Sequence, residues 1–297
     1  MRSDWSQERV DDFHAPAPDS EPGLLEPVPE LKLRLERLLV ACDDGFGSEF
    51  SEVEMPVLEL AFRYGDVSVH ACDSQDRLLL STPEGLRTIG RHRRAEDRAR
   101  RLLESFGAVE LECLDRYEPG FGSRANYVVH VAGDEHEYCS FGAYALPQLR
   151  AQGWDVKVAE GYPYAVLSGE TPWYAMAEPN EEQPDWFSFE LGIVIDGRRV
   201  SMLPALVDLL DRSPDEGTLD ALLRRPTRYF ALPTPDGRYL PVEAQRMRRV
   251  VEILRELYDG PIGGKRPELP LLCPLVRAGV LGELDADETR TIQWTGG

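Results

Sequence analysis

The sequence lacks any long apolar run. No stretch of its 297 residues is long and apolar enough to cross a bilayer. Its N-terminal stretch, MRSDWSQERVDDFHAPAPDS, has acids and prolines where a signal peptide needs apolar residues. We therefore expect neither a membrane anchor nor an export signal.

Cysteine is scarce as well. The five cysteines, at positions 42, 72, 113, 139 and 273, are odd in number and widely dispersed. This distribution fits reduced thiols in a cytosol better than a disulfide framework. We predict a cytoplasmic protein.

Basic charge is in deficit. There are 33 lysines and arginines against 53 acids, which gives a formal net charge of −20. Nucleic-acid binders usually present a basic face, because phosphate neutralisation supplies much of their affinity. The balance argues against direct DNA binding by this chain.

One basic cluster stands out in this acidic chain. Arg91, Arg94, Arg98 and Arg101 occur in RHRRAEDRARR, which we predict to lie on a helix spanning residues 91–106. These arginines could contact phosphates or an acidic partner. The alternative is a solvated helix face on which they pair with neighbouring acids.

Nucleotide-binding and catalytic motifs are missing. The string GPIGGKRPE, residues 260–268, approaches a P-loop, but Arg266 follows Gly264-Lys265 where the motif needs Ser or Thr. Asp259 also stands where the first glycine should be. We interpret the string as a loop after a helix, and we predict no catalytic residue and no bound cofactor.

Four residues are weak candidates for a metal site, namely His70, Cys72, His136 and Cys139. Zinc sites usually bring together two closely spaced ligand pairs, and VHAC and HEYC each supply one. The alternative is a set of buried thiols and partly exposed histidines, so we predict no metal.

What the sequence does contain is a series of hairpin and helix signals. Alternating apolar residues flank two-residue turns at Gly65-Asp66, Asp196-Gly197 and Asp236-Gly237. Residues 31–40 alternate like a strand, with a helix as the alternative, and LLCPLVRAGVLGEL is predicted to be a last helical segment. These patterns predict an α+β fold in which antiparallel hairpins are followed by helices.

The predicted organisation has three parts. Residues 1–30, acidic and rich in proline, form a flexible tail; residues 31–180 form one α+β subdomain; residues 185–297 form a second. The polar loop NEEQPD is the predicted boundary. In the second subdomain Trp186 alternates with Phe187 and Phe189, so it lies on the opposite face of its strand, where it could dock a partner.

Two strings of the second subdomain resemble a known family. DWFSFELGIVIDGRRVSMLPAL and RYFALPTPDGRYLPVEAQRMRRVVEILRELYD are similar to the region that precedes the motor in bacterial Swi/Snf-type helicase-like ATPases. LPQLRAQGWDVKV and the terminal IQWTGG resemble segments of the same proteins. The likeness spans roughly residues 31–297.

The resemblance implies an accessory region rather than the motor. In the family, two RecA-like lobes bind ATP and Mg²⁺ and translocate on double-stranded DNA, but no such lobes are expected in this chain. It should therefore not hydrolyse ATP by itself. Its expected partners are the motor lobes, in the same protein or separately encoded, or another protein. The alternative function is a free-standing cytoplasmic interaction module in a multi-gene DNA-processing or defence system.

Overall fold

The computed structural model describes residues 25–43, 48–82, 85–114, 117–120, 122–130, 134–168, 171–212, 216–224, 227–257, 270–286 and 292–295. Most of the predicted tail and the whole P-loop-like string, residues 260–268, lie outside these ranges. We call residues 25–164 the first half and residues 165–295 the second half, because each contributes its own large hydrophobic core.

The fold is α+β, as predicted. The first half contains β1 (Val28–Asp43), β2 (Ser48–Tyr64), β3 (Val67–His70), β4 (Arg77–Thr82), β5 (Gly85–Gly90), α1 (Arg93–Ser105), β6 (Ala108–Glu110), β7 (Tyr117–Pro119), β8 (Tyr127–Val129), α2 (Glu135–Ser140), α3 (Leu146–Ala151) and β9 (Asp155–Val158). The second half contains β10 (Trp173–Pro179), β11 (Trp186–Ile195), β12 (Arg198–Ser201), α4 (Leu203–Asp211), α5 (Glu216–Leu223), β13 (Tyr229–Pro233), β14 (Tyr239–Glu243), α6 (Ala244–Leu257), β15 (Leu271–Pro274) and β16 (Ile292–Thr295). No helix among the described residues is long and apolar enough to span a membrane.

The long antiparallel pair β1–β2 organises the first half. Its register places Leu31 opposite Leu60 and Leu33 opposite Leu58, and these four side chains are buried in one core. Residues 31–40 therefore form a strand, as predicted. The strand begins at Val28, so it includes residues 28–30, which were predicted to belong to the flexible tail. The hairpin around Gly65 is confirmed too.

Helix α1 covers this sheet with the stripe Ala95, Ala99 and Leu103. The His92 side chain caps its N-terminus by accepting a hydrogen bond from the Ala95 N–H. Gly107 follows the helix with φ +94°, a conformation that side-chain-bearing residues rarely adopt. The helix predicted for residues 91–106 is confirmed.

The second half is built on a sheet in the order β12-β11-β10-β16, with β15 also paired to β11. Ile193 lies opposite Val200 across the Asp196-Gly197 turn, as predicted. The expectation for LLCP is wrong. These residues form strand β15, because they pair with Trp186–Phe189 along the sheet, and a 3-10 segment, Leu275–Ala286, follows them.

The predicted boundary at residues 180–185 is misplaced. Strand β10 precedes that loop but pairs with β11 immediately after it, so the loop joins two strands of one sheet. The change of core occurs between Tyr162, which belongs to the first core, and Leu167, which belongs to the second. Backbone hydrogen bonds from Tyr239 N–H to Ala165 and from Leu167 N–H to Tyr239 connect this segment to β14.

Candidate functional site

Burial separates Arg91 from the other three arginines of the predicted contact surface. Arg91 is only 6% exposed, and its guanidinium makes two hydrogen bonds to Glu96, at 2.7 and 2.8 Å. Arg94, Arg98 and Arg101 are exposed. Arg91 therefore does not belong to the predicted contact surface, because its side chain is buried and stabilises the start of α1.

We expect the three exposed arginines to contribute little to DNA binding, because the net charge of −20 repels phosphate. An Arg94→Ala/Arg98→Ala/Arg101→Ala variant should bind duplex DNA within about twofold of wild type. The measurement is fluorescence polarisation at low salt, on the order of 50 mM. Low salt strengthens phosphate contacts and so makes the measurement sensitive to them. A loss of about tenfold or more, with unchanged thermal stability, would instead identify a phosphate-binding face.

The four weak metal candidates are not brought together. The His70 ring nitrogen Nε2 lies 2.8 Å from the Arg124 carbonyl, whereas Cys139 is fully buried and His136 accepts a hydrogen bond from Ala231 N–H. Within the described ranges no group of three or more His, Cys, Asp or Glu side chains could hold a metal ion.

A polar recess of about 330 Å³ lies beside Cys72, with Arg93, Arg100, Glu110 and Glu112 in its wall. Burial, reinforced by Glu112, raises the pKa of the Cys72 thiol. A thiol in its protonated form is a poor nucleophile, so the recess does not support cysteine chemistry.

Trp186 lies where the alternation predicted it. Phe187 and Phe189 are buried in the second core, whereas Trp186 is half-buried on the outer face of the sheet. Strand β15 places Pro274 opposite Trp186 and Leu272 opposite Ser188 on that same outer face. The chain then continues into Leu275 and Val276.

Exposed apolar side chains cluster along this part of the chain. Leu272 is 41% exposed, Leu275 53% and Val276 90%. The Leu275 N–H donates to the Asp185 carbonyl at 2.7 Å, which fixes the start of the 3-10 segment beside Trp186. We call Trp186, Leu272, Leu275 and Val276 the docking face.

A cleft of about 480 Å³ lies at the junction of the halves. Leu33, Leu146 and Val158 line it from the first half, and Leu167 and Leu240 line it from the second. Pockets of this size that are mostly apolar, with a few polar groups, are typical of small-molecule sites.

One wall of the cleft is an irregular helix. Between α2 and α3 the residues Phe141–Ala145 form a single π-helical stretch, and Gly142 and Ala143 of that stretch line the cleft. A Cβ atom at Gly142 would lie 3.5 Å from the Val166 side chain, which is ordinary van der Waals contact, so the junction segment packs directly against this stretch. Short π-helical stretches within α-helices occur frequently at functional sites.

Tyr162 and Tyr164 line the cleft, and a third tyrosine, Tyr138, packs behind them. Tyr164 stacks on Tyr138 with ring centroids 4.7 Å apart, and Tyr162 meets Tyr164 edge-on at 6.0 Å. Burial raises the pKa of Tyr162, so its phenol stays protonated. Its buried Oη has no hydrogen-bond partner among the described residues.

The chain matches no protein-family model, no curated protein and no solved structure. The likeness to Swi/Snf-type ATPases therefore stays a prediction, and interpretation depends on the chain's own geometry. That geometry presents two features suited to binding, namely the docking face and the cleft.

One residue of the docking face, Trp186, was predicted from strand alternation, which is a local pattern. Leu272, Leu275 and Val276 were predicted only as part of a helical segment, and the cleft was not predicted. The cleft is formed by segments far apart in the sequence, so their proximity left no pattern to detect. The aromatic string GYPYAV, residues 161–166, was the one local sign, since it places two tyrosines in a loop.

Proposed function

We propose that this chain is a non-catalytic docking module that acts in the cytoplasm on the motor lobes of a Swi/Snf-type DNA-translocating ATPase. The observation that carries the proposal is the docking face. Exposed leucine and valine side chains beside a half-buried tryptophan form an apolar surface of the kind that proteins use to bind other proteins.

The position of this surface supports the motor as its occupant. Strand β16 contains the start of IQWTGG, which the family resemblance assigns to the segment just before the ATPase core. In the structure β16 pairs with β10, and β10 pairs with β11, which carries Trp186. Trp186 and Leu272 of the docking face thus belong to the same sheet as the strand nearest to the expected motor.

Charge supports the same partner. The chain carries a net charge of −20, whereas a motor that tracks along DNA presents basic surface to phosphate. Complementary charge accelerates association and orients the two proteins, while the apolar face supplies the affinity. Direct DNA binding by the chain is not needed for this role.

The test is a Leu275→Asp/Val276→Asp variant. Both side chains are already exposed, so folding should be unaffected, while two carboxylates would have to be desolvated at the interface. We expect affinity for purified Swi/Snf-type motor lobes, measured by calorimetry with the full chain, to fall by about tenfold or more. The motor's DNA-stimulated ATP hydrolysis should lose its response to the chain at the same time.

The matched control is Leu79→Asp/Leu86→Asp on the hairpin β4–β5. These leucines are 56% and 72% exposed and lie in the first half, away from the docking face. Motor binding should survive this change. Equal binding by wild type and the Leu275/Val276 variant, or failure of the wild type to bind the motor, would refute the proposal. An immunoblot of cell extract then separates the two arrangements: a band well above 33.5 kDa means an attached motor, and a band at 33.5 kDa a separate one.

A further inference from the structure

We propose that the cleft at the junction of the two halves binds a small molecule with an apolar, ring-containing body and one anionic group, which Arg150 receives. This site is distinct from the docking face and does not depend on the proposed function. Its recognition chemistry follows from the size, lining and charge of the cleft.

The size of the cleft selects a small molecule. A volume of about 480 Å³ lies within the range of pockets that enclose drug-sized ligands. Leu33 and Leu146 of the first core and Leu167 and Leu240 of the second are part of its wall. A ligand there would therefore bury apolar surface against both halves at once.

The tyrosines indicate a ring in the ligand. Tyr162 and Tyr164 line the cleft and are already held edge-to-face, which fixes their orientation without the entropic cost of ordering them on binding. The Tyr162 Oη is itself fully buried, so it is not available to a ligand in the cleft. The two tyrosines therefore contribute ring surface rather than a hydrogen bond.

Arg150 supplies the charge preference. Among the described residues that line the cleft, it is the one with a formal charge, although acids far outnumber basic residues in the chain as a whole. Its guanidinium makes one long hydrogen bond, of 3.5 Å, to the Val156 carbonyl, and a guanidinium has five N–H donors in total. A carboxylate, sulfonate or phosphate at the rim of the cleft would meet these donors.

A matched pair of fluorescent probes tests both parts of the inference. 8-Anilinonaphthalene-1-sulfonate carries an aromatic body and one anion, and N-phenyl-1-naphthylamine has the same body without the charge. We expect the anionic probe to bind the full chain at one saturable site, with higher affinity than the neutral probe. Titration by fluorescence, with stoichiometry checked by equilibrium dialysis, measures both.

Two substitutions assign the site. Val158→Trp places a large ring at the rim, where Val158 is 41% exposed, and should abolish binding of both probes. Val53→Trp is the matched control, because Val53 is equally exposed on β2 and does not line the cleft. Arg150→Gln should weaken the anionic probe by about five- to tenfold and leave the neutral probe unchanged. Arg87→Gln, an exposed arginine on β5, should change neither.

Each outcome decides the matter. Loss of both probes in Val158→Trp, retention in Val53→Trp and selective weakening in Arg150→Gln support the proposal. Absence of a saturable site, binding by Val158→Trp at wild-type affinity, or equal weakening of both probes in Arg150→Gln would overturn it. Thermal melting of every variant excludes loss of fold as the cause.

Discussion

Arg91→Met is expected to lower the free energy of unfolding by about 3 kcal/mol, because it removes the closer counter-charge of a buried carboxylate and leaves only Arg93, whose Nη1 lies 3.4 Å from Glu96 Oε2. The Arg91 and Glu96 side chains are 0% and 1% exposed, and they form a two-pronged ion pair. Arg91 also donates to the carbonyls of Asp73 and Gln75, which ties the turn after β3 to the start of α1. Removal of the guanidinium therefore breaks several buried hydrogen bonds together.

Urea denaturation followed by circular dichroism measures this loss. Arg98→Met is the control on the same helix, since Arg98 is 47% exposed and makes only a surface contact of 3.7 Å with Glu26. The control should change stability by less than about 1 kcal/mol. Equal effects of the two substitutions would contradict the structural role assigned to Arg91.

A double variant, Arg91→Met/Glu96→Gln, separates the charge from the packing. Glu96 also accepts a hydrogen bond of 2.6 Å from Tyr64 Oη, and a glutamine oxygen can still accept it. Because the buried carboxylate, which Arg93 alone pairs with at 3.4 Å in Arg91→Met, is then gone, we expect the double variant to be more stable than Arg91→Met alone. Additive losses would show that packing, not charge, dominates.

His136→Phe should produce the second large effect, a loss of about 1–3 kcal/mol at pH 8. The His136 Nδ1 accepts a hydrogen bond of 3.1 Å from the Ala231 N–H, and this bond connects α2 of the first half to β13 of the second. Phenylalanine keeps the ring contact with Phe230 but cannot accept the bond. The buried Ala231 N–H would then have no partner.

The same residue gives a pH dependence with a defined sign. Burial lowers the pKa of His136 below its usual value of about 6.5, with Arg212 acting in the same direction and Glu135 and Glu137 opposing it. Above that value the ring is neutral in both states, so stability does not change. As the pH falls below it, the unfolded chain binds the proton first, and the free energy of unfolding decreases until the folded pKa is passed.

His136→Asn tests this dependence directly. Its Oδ1 can replace Nδ1 as the acceptor, while the side chain does not titrate. We expect a smaller loss of stability than for His136→Phe, together with a flatter stability profile below about pH 6.5. An unchanged acid slope in His136→Asn would assign the pH dependence to other groups.

Local patterns accounted for much of the fold. The turns at Gly65 and Asp196 were predicted because each is a two-residue turn between alternating strands, and all the information lies within about fifteen residues. The turn predicted at Asp236-Gly237 is one residue longer than expected, because Thr234 pairs with Arg238 and Pro235 joins the loop. Helix α1 followed from its apolar stripe in the same way. Trp186 was placed on the correct face because strand alternation has a strict period of two.

The remaining features depend on distant pairings. LLCP was predicted to be helical, because periodicity alone does not distinguish a strand from a helix in a short apolar run. It forms a strand because it pairs with β11 through backbone hydrogen bonds. NEEQPD appeared to be a boundary because it is polar, although a polar loop also suits a hairpin turn. Arg91 resembled its exposed neighbours in sequence, and only the fold placed Glu96 and Tyr64 around it.

Strand β11 pairs with strands from distant parts of the chain, and this has a consequence for folding kinetics. One side of this strand is occupied by β12 over its second part and by β15 over its first part, while β16 joins the sheet through β10. Residues 198–201 are available as soon as the hairpin forms, but β15 and β16 come from the last part of the described chain. During synthesis, backbone groups at the edges of the hairpin β10–β11 therefore stay unpaired until these residues have been synthesised. The late strands protect the sheet from pairing with other chains, so slow completion of this step would favour aggregation.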